Sequence, residues 1–200
     1  GTAITTGDYN TAVGFQALAT EDTGGSSTAV GYYALNAQNN DAATNYNTAV
    51  GSNAGQVITT GTLNTLVGGL AGDAITTGYS NVALGYLALS TDTLGATSIA
   101  IGTEALKTQN FTTATTAYNV AIGDSAGKVI TTGTHNTLIG GLAGDALTDA
   151  DFNTAVGLSA LTTDTLGSRS TALGYQALNT QNFTTATDTY NTAVGFNAGV

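Results

Sequence analysis

The chain has 200 residues, of which only 8% are charged, and its formal net charge is −10. Its three basic residues, Lys107, Lys128 and Arg169, cannot form the stripe that neutralises a nucleic-acid backbone, nor hold the chain on an anionic membrane surface. Cysteine is absent, which excludes disulfides and thiolate metal sites.

Apolar residues make up 42% of the chain and are regularly placed, which predicts a buried core rather than disorder. No apolar run approaches membrane-spanning length, so no membrane insertion is expected of this segment. The sequence starts without Met or a signal-peptide pattern, and it opens and closes partway through a repeat. We therefore expect residues 1–200 to be one repeat domain that is a segment of a longer fibre.

In chain order, the first predicted element is Asn10-Thr11-Ala12-Val13-Gly14, and the same phrase closes the series at Asn191-Thr192-Ala193-Val194-Gly195. Between them its glycine recurs at Gly31, Gly51, Gly68, Gly85, Gly102, Gly123, Gly140, Gly157 and Gly174, giving eleven coils. The spacings are 17, 20, 17, 17, 17, 21, 17, 17, 17 and 21. The steps from Gly51 to Gly123 and from Gly123 to Gly195 are equal, so a super-repeat holds three coils of 17 and one of 21.

Within a coil, the residue before the glycine is Val, Leu or Ile in all eleven copies. The residue two before is Ala in nine and Leu in two, Leu66 and Leu138; the residue four before is Asn in eight and Ser in three. Ala always stands three after the glycine, and the next position is Leu or Gly. Branched residues in so short a segment predict a strand, not a helix. The expected fold is all-β: a β-solenoid (β-roll or β-helix) of about eleven 17-residue rungs, roughly 50 Å long at about 4.8 Å per rung. The glycine is expected to supply a positive φ or a close backbone approach where the coil turns, and the Asn column to form a ladder. Strand side chains alternate between faces, yet both faces here are apolar. A second apolar face calls for a second layer, so self-association is expected, with a homotrimer favoured and end-to-end fibre growth as the other form.

The phrases Ser98-Ile99-Ala100-Ile101-Gly102 and Asn119-Val120-Ala121-Ile122-Gly123 resemble the head repeats of trimeric autotransporter adhesins of the Yersinia-adhesin type. Asn10 through Leu18 and Thr171 through Leu178 are similar to phage tail-fibre repeats. The resemblance implies a trimeric β-roll on a cell or virion surface, hence an extracellular location. The coil of 17 is longer than the typical adhesin repeat.

Little points to chemistry. His135 is the one histidine, in a slot five before the glycine that elsewhere holds Tyr46, Tyr118, Phe152, Arg169, Ser26 or Tyr190. So varied a slot reads as surface. With one His and no Cys, no nucleophile–base pair or zinc site can be assembled, and no enzyme activity or cofactor is expected. Asp73 and Asp145 lie in equivalent turns, as do Asp92 and Asp164; calcium at such turns is conceivable, but turn capping is the expected role. Thr pairs such as Thr59-Thr60 and Thr131-Thr132 raise an ice-binding alternative. The long coils 109–118 and 181–190 are the favoured place for surface contacts. Phe111, Tyr118, Phe183, Tyr190 and Tyr46 are the candidates, for a host-surface glycan or another cell-surface partner. The competing expectation, which we prefer, has Phe111 and Phe183 fold back over the coil edge. The leading expectation is a rigid spacer in an adhesin, filament or tail fibre; the alternative is a carbohydrate- or ice-binding repeat module.

Overall fold

Every repeat phrase becomes a three-residue strand, and the computed structural model describes residues 1, 3–40 and 44–200. In chain order the strands are β1 (Thr11–Val13), β2 (Thr28–Val30), β3 (Thr48–Val50), β4 (Thr65–Val67), β5 (Val82–Leu84), β6 (Gly95–Ala96), β7 (Ile99–Ile101) and β8 (Thr115–Thr116). They continue as β9 (Val120–Ile122), β10 (Thr137–Ile139), β11 (Thr154–Val156), β12 (Gly167–Ser168), β13 (Thr171–Leu173), β14 (Thr187–Asp188) and β15 (Thr192–Val194). Among the described residues there is no helix.

Eleven of these strands stack in sequence order into one parallel sheet, omitting only β6, β8, β12 and β14. Register is one coil to the next without slip: Thr137 pairs with Thr154, Leu138 with Ala155 and Ile139 with Val156. The glycine spacing therefore measures the coil, short or lengthened, and the fold is a β-solenoid of eleven turns. The two short pairs, β6 with β8 and β12 with β14, appear only where a short coil meets a lengthened one. The extra residues thus add a ladder of their own.

Alternation sorts the faces. The central strand residue points inward and is fully buried from Ala29 to Ala172, as is the Ala three after each glycine from Ala17 to Ala177. The branched residue before the glycine points outward. In the single chain Val50, Leu84, Ile139 and Leu173 are exposed, because one chain wraps only one side of its own sheet; the second apolar layer expected from the sequence is one that another chain would supply.

Each glycine of the repeat has φ between 129° and 144°, a region L side chains avoid. A Cβ built on Gly123 would lie 2.5 Å from the carbonyl carbon and oxygen of Gly140 one rung on. Both expected reasons for glycine hold. Three further columns, two and four after the glycine and five before it, also turn with positive φ, mostly at non-glycine residues such as Leu106 (49°), Glu104 (58°) and Tyr118 (52°). These columns make the corners of the coil.

The core alternates between two fillings. Where Gly stands four after the repeat glycine, an Ile or Leu three further on fills the space: Ile58, Ile75, Ile130 and Leu147, all buried. Leu66 and Leu138 complete the filling. A Cβ on Gly55 or Gly72 would come within 2.7 and 2.8 Å of Leu66, and one on Gly127 or Gly144 within 2.8 Å of Leu138. This explains why the central Ala gives way to Leu in only those two coils. Where Leu takes the Gly position, the deeper slot holds Glu21, Gln38, Asp92, Gln109, Asp164 or Gln181.

Candidate functional site

The expected contact residues fall into two groups. Tyr46, Tyr118 and Tyr190 are exposed, at 56%, 55% and 70%, as the variability of their slot implies. Phe111 is only 5% exposed and Phe183 is half-buried. Phe111 folds back over the edge of its coil, so its ring is not available to a partner. The Asn, Thr and Ala residues around it carry the exposed surface of the lengthened coil.

The slot five before the glycine builds a continuous column over the last five coils. Tyr118 lies 5.2 Å from His135, and His135 stacks on Phe152 at 4.7 Å between ring centroids. The Arg169 guanidinium lies 4.7 Å from the Phe152 centroid and 6.0 Å from that of Tyr190. Its Nε also pairs with Asp188 at 3.0 Å. Stacking along the axis fills the middle of the column, while its end rings, Tyr118 and Tyr190, stay exposed. His135 Nδ1 lies 3.1 Å from Thr134 Oγ1, and among the described residues no carboxylate pairs with it.

The outward sheet face is a regular surface. It carries one column of Val, Leu and Ile and beside it a second of Thr11, Thr28, Thr48, Thr65, Val82, Ile99, Val120, Thr137, Thr154, Thr171 and Thr192. Neither column contains a charge. The eight threonine hydroxyls make no hydrogen bond among the described residues. The Thr pairs singled out from sequence behave differently: Thr59 Oγ1 donates to the Thr76 carbonyl at 3.2 Å and Thr131 Oγ1 to that of Thr148 at 3.2 Å. The first residue of each of these pairs is committed to the backbone ladder. The threonines of the repeat phrase itself, which sequence reasoning passed over, form a whole column with free hydroxyls.

Three polar networks lie inside the solenoid, one per lengthened coil. Gln109 Nε2 donates to Asp92 Oδ2 at 2.6 Å and to Ser98 Oγ at 3.0 Å, and Gln109 Oε1 accepts from Asn119 Nδ2 at 2.8 Å. Asp92 Oδ1 accepts from the N–H of Gly95 at 3.0 Å and of Phe111 at 3.3 Å. Asp164, Gln181, Ser170, Asn191 and Phe183 repeat this arrangement. Glu21, Gln38, Ser27 and Asn47 form the third network, in which the Asn45 side chain donates to Glu21 at 2.8 Å. Turn capping was expected of Asp92 and Asp164, and each does cap a turn three residues on, but from a buried position. Burial pushes the Asp92 carboxyl above its ordinary pKa, against the N–H donors of Gln109, Gly95 and Phe111 that pull it down.

The networks also explain the Asn column. From Asn47 to Asn64 to Asn81 to Ser98, each backbone N–H donates to the preceding Asn Oδ1 at 2.9 to 3.0 Å. At Ser98 the ladder stops, and the Gln109 side chain takes the room that an Asn would fill.

Surface carboxylates are dispersed. Asp73 Oδ1 is buried without a partner, and burial raises the Asp73 pKa. Asp145 Oδ1 accepts from Thr162 Oγ1. Among the described residues, no three acidic or histidine side chains converge on a point where a metal could sit. All three basic residues are paired: Lys107 and Lys128 both reach Glu104 at 2.6 Å, which holds its carboxyl below the usual range, and Arg169 reaches Asp188.

Comparison with protein-family models, curated proteins and solved structures finds no match to this chain.

Proposed function

We propose that the chain is a rigid structural segment of an extracellular fibre, such as an adhesin, filament or phage tail fibre, in which copies associate side by side. The observation that carries this reading is the eleven-turn in-register sheet with an uncharged, uncovered aliphatic column along its outward face. Continuous backbone ladders resist bending, and each coil leans only on its neighbours. An exposed aliphatic strip this long is a surface that water disfavours and a like surface would cover. A homotrimer is the favoured assembly.

The test is multi-angle light scattering of the chain beside Ile122→Lys and Val156→Lys variants. Three-chain mass for the parent, falling to one for the variants with the β-sheet signal kept, supports the reading. A folded monomer at micromolar concentration removes the self-association part.

One observation favours a second reading. The eight unpaired threonine hydroxyls, set beside methyl-bearing side chains on a regular sheet, are also the composition of a surface that orders water, which supports an ice-binding module. Thermal hysteresis in a monomeric sample would select this reading over the first.

A further inference from the structure

The lengthened coils carry a feature that neither the spacer nor the ice-binding reading uses. The chain has seventeen asparagines, and only two of them, Asn110 and Asn182, are followed two residues later by Ser or Thr. They read Asn110-Phe111-Thr112 and Asn182-Phe183-Thr184, at equivalent places in two successive super-repeats. This is the acceptor pattern for N-linked glycosylation, and its confirming context is an accessible surface loop.

The structure supplies that context. In both loops the middle Phe turns toward the coil, which leaves the Asn before it and the Thr after it exposed. The carboxylate of the preceding coil holds this arrangement, since the N–H of Phe111 donates to Asp92 and that of Phe183 to Asp164. Asn110 Oδ1 accepts from Thr93 Oγ1 at 3.0 Å and Asn182 Oδ1 from Thr165 Oγ1 at 3.3 Å. The Nδ2 of each, the atom that would be modified, makes no hydrogen bond among the described residues. The ladder asparagines are the opposite case. Their side chains are buried in all but the end coils, and the inward Ala or Leu two residues on denies them the motif.

We propose that Asn110 and Asn182 are N-glycan acceptor sites, which mount sugar on one edge of the rod once per super-repeat. The reaction joins Asn Nδ2 to the anomeric carbon of a sugar activated as a phosphate or diphosphate ester. The C–O bond to the phosphate breaks, the phosphate leaves with the bonding pair, and Nδ2 gives up one proton. The transferase and the activated sugar come from the export route, so the proposal rests on the extracellular reading.

The test is glycopeptide mass spectrometry on the chain recovered from its own source, with its location recorded. Cleavage after Lys107, Lys128 and Arg169 releases residues 108–128 and 170–200, each with one motif. Sugar mass on both peptides, removed by peptide N-glycosidase, is the expected result. Unmodified peptides from protein found outside the cell or on a virion overturn the proposal and leave the extracellular reading intact. Unmodified peptides from protein found only in the cytoplasm overturn both. A second arm expresses the chain through a eukaryotic secretory pathway. Asn110→Gln and Thr112→Val should each remove the same single glycan, and Asn182→Gln and Thr184→Val the other. A folded, secreted chain without sugar at either site overturns the proposal irrespective of source.

Discussion

Gln109 reaches across one coil step to Asp92, its Nε2 2.6 Å from Oδ2, with both side chains fully buried. The amide has no slack. Its nitrogen serves Asp92 and Ser98, and its oxygen serves Asn119. Gln109→Leu keeps the volume but orphans a buried carboxylate oxygen and a buried amide N–H. The expected loss is about 3 kcal/mol, in the range for breaking a buried charged network. Urea unfolding of parent and variant measures it, and a loss below about 1 kcal/mol would show that water replaces the amide.

The same carboxylate fixes a pH dependence. Burial raises the folded pKa of Asp92 above its unfolded value. Its favourable contribution is therefore complete below the unfolded pKa and is lost as pH rises through the folded one. Acidification from about pH 7 to about pH 4 should stabilise the parent relative to Asp92→Asn, which lacks the titrating proton. Parallel thermal melts across that window check the sign. Equal slopes would mean that the N–H donors offset burial completely.

The core filling predicts a coupled pair. Leu138→Ala opens a cavity between Gly127 and Gly144 and should cost about 2–5 kcal/mol. Gly144→Ala is destabilising alone, because its Cβ would lie 2.8 Å from both Leu138 Cδ2 and Leu147 Cδ1. In the Leu138→Ala background half of that conflict disappears, so the Gly144→Ala cost should shrink. A double-mutant cycle by chemical denaturation reads the coupling, and simple additivity would refute it.

The glycine column predicts a contrast with a glycine that lies outside it. Gly123→Ala forces a Cβ to 2.5 Å from Gly140 backbone and should abolish folding or cost more than about 4 kcal/mol. Gly69→Ala, at a glycine outside the column, meets nothing closer than Tyr86 Cδ2 at 3.6 Å and has no positive φ, so its cost should stay within about 0.5 kcal/mol. Circular dichroism melts of the two variants separate the contributions.

Much of this fold is readable without coordinates, for a definite reason. A parallel solenoid places equivalent residues in register, so the interval between glycines states the pairing directly. Inward alanines, the Asn ladder and the glycine geometry follow from repetition alone. Other features stay hidden because they depend on the neighbouring coil rather than on the repeat. Asp92 and Gln109 both stand seven after a repeat glycine, so the register sets one above the other, but nothing in either phrase says that this polar slot is buried. Positive φ at Leu106 or Tyr118 is illegible, because any residue type can be forced into a corner that its neighbours define. The outward column is legible as an apolar face, because alternation reports which way a side chain points, and the single chain leaves that face uncovered. Of the candidate contacts, Phe111 is decided by a backbone bond to Asp92, a partner in the preceding coil.

The two kinds of coil filling have a consequence for length. Removing the coil of Asp92 would leave Gln109 facing an aliphatic slot, and removing that of Leu66 would leave Gly55 beside a void. A single coil therefore cannot be added or deleted without a mismatch in the interior, whereas a block of four can. Molecules of this design change reach in steps of about 19 Å, four rungs of about 4.8 Å each. Their length is a count of blocks, as on a ruler with only the coarse marks engraved.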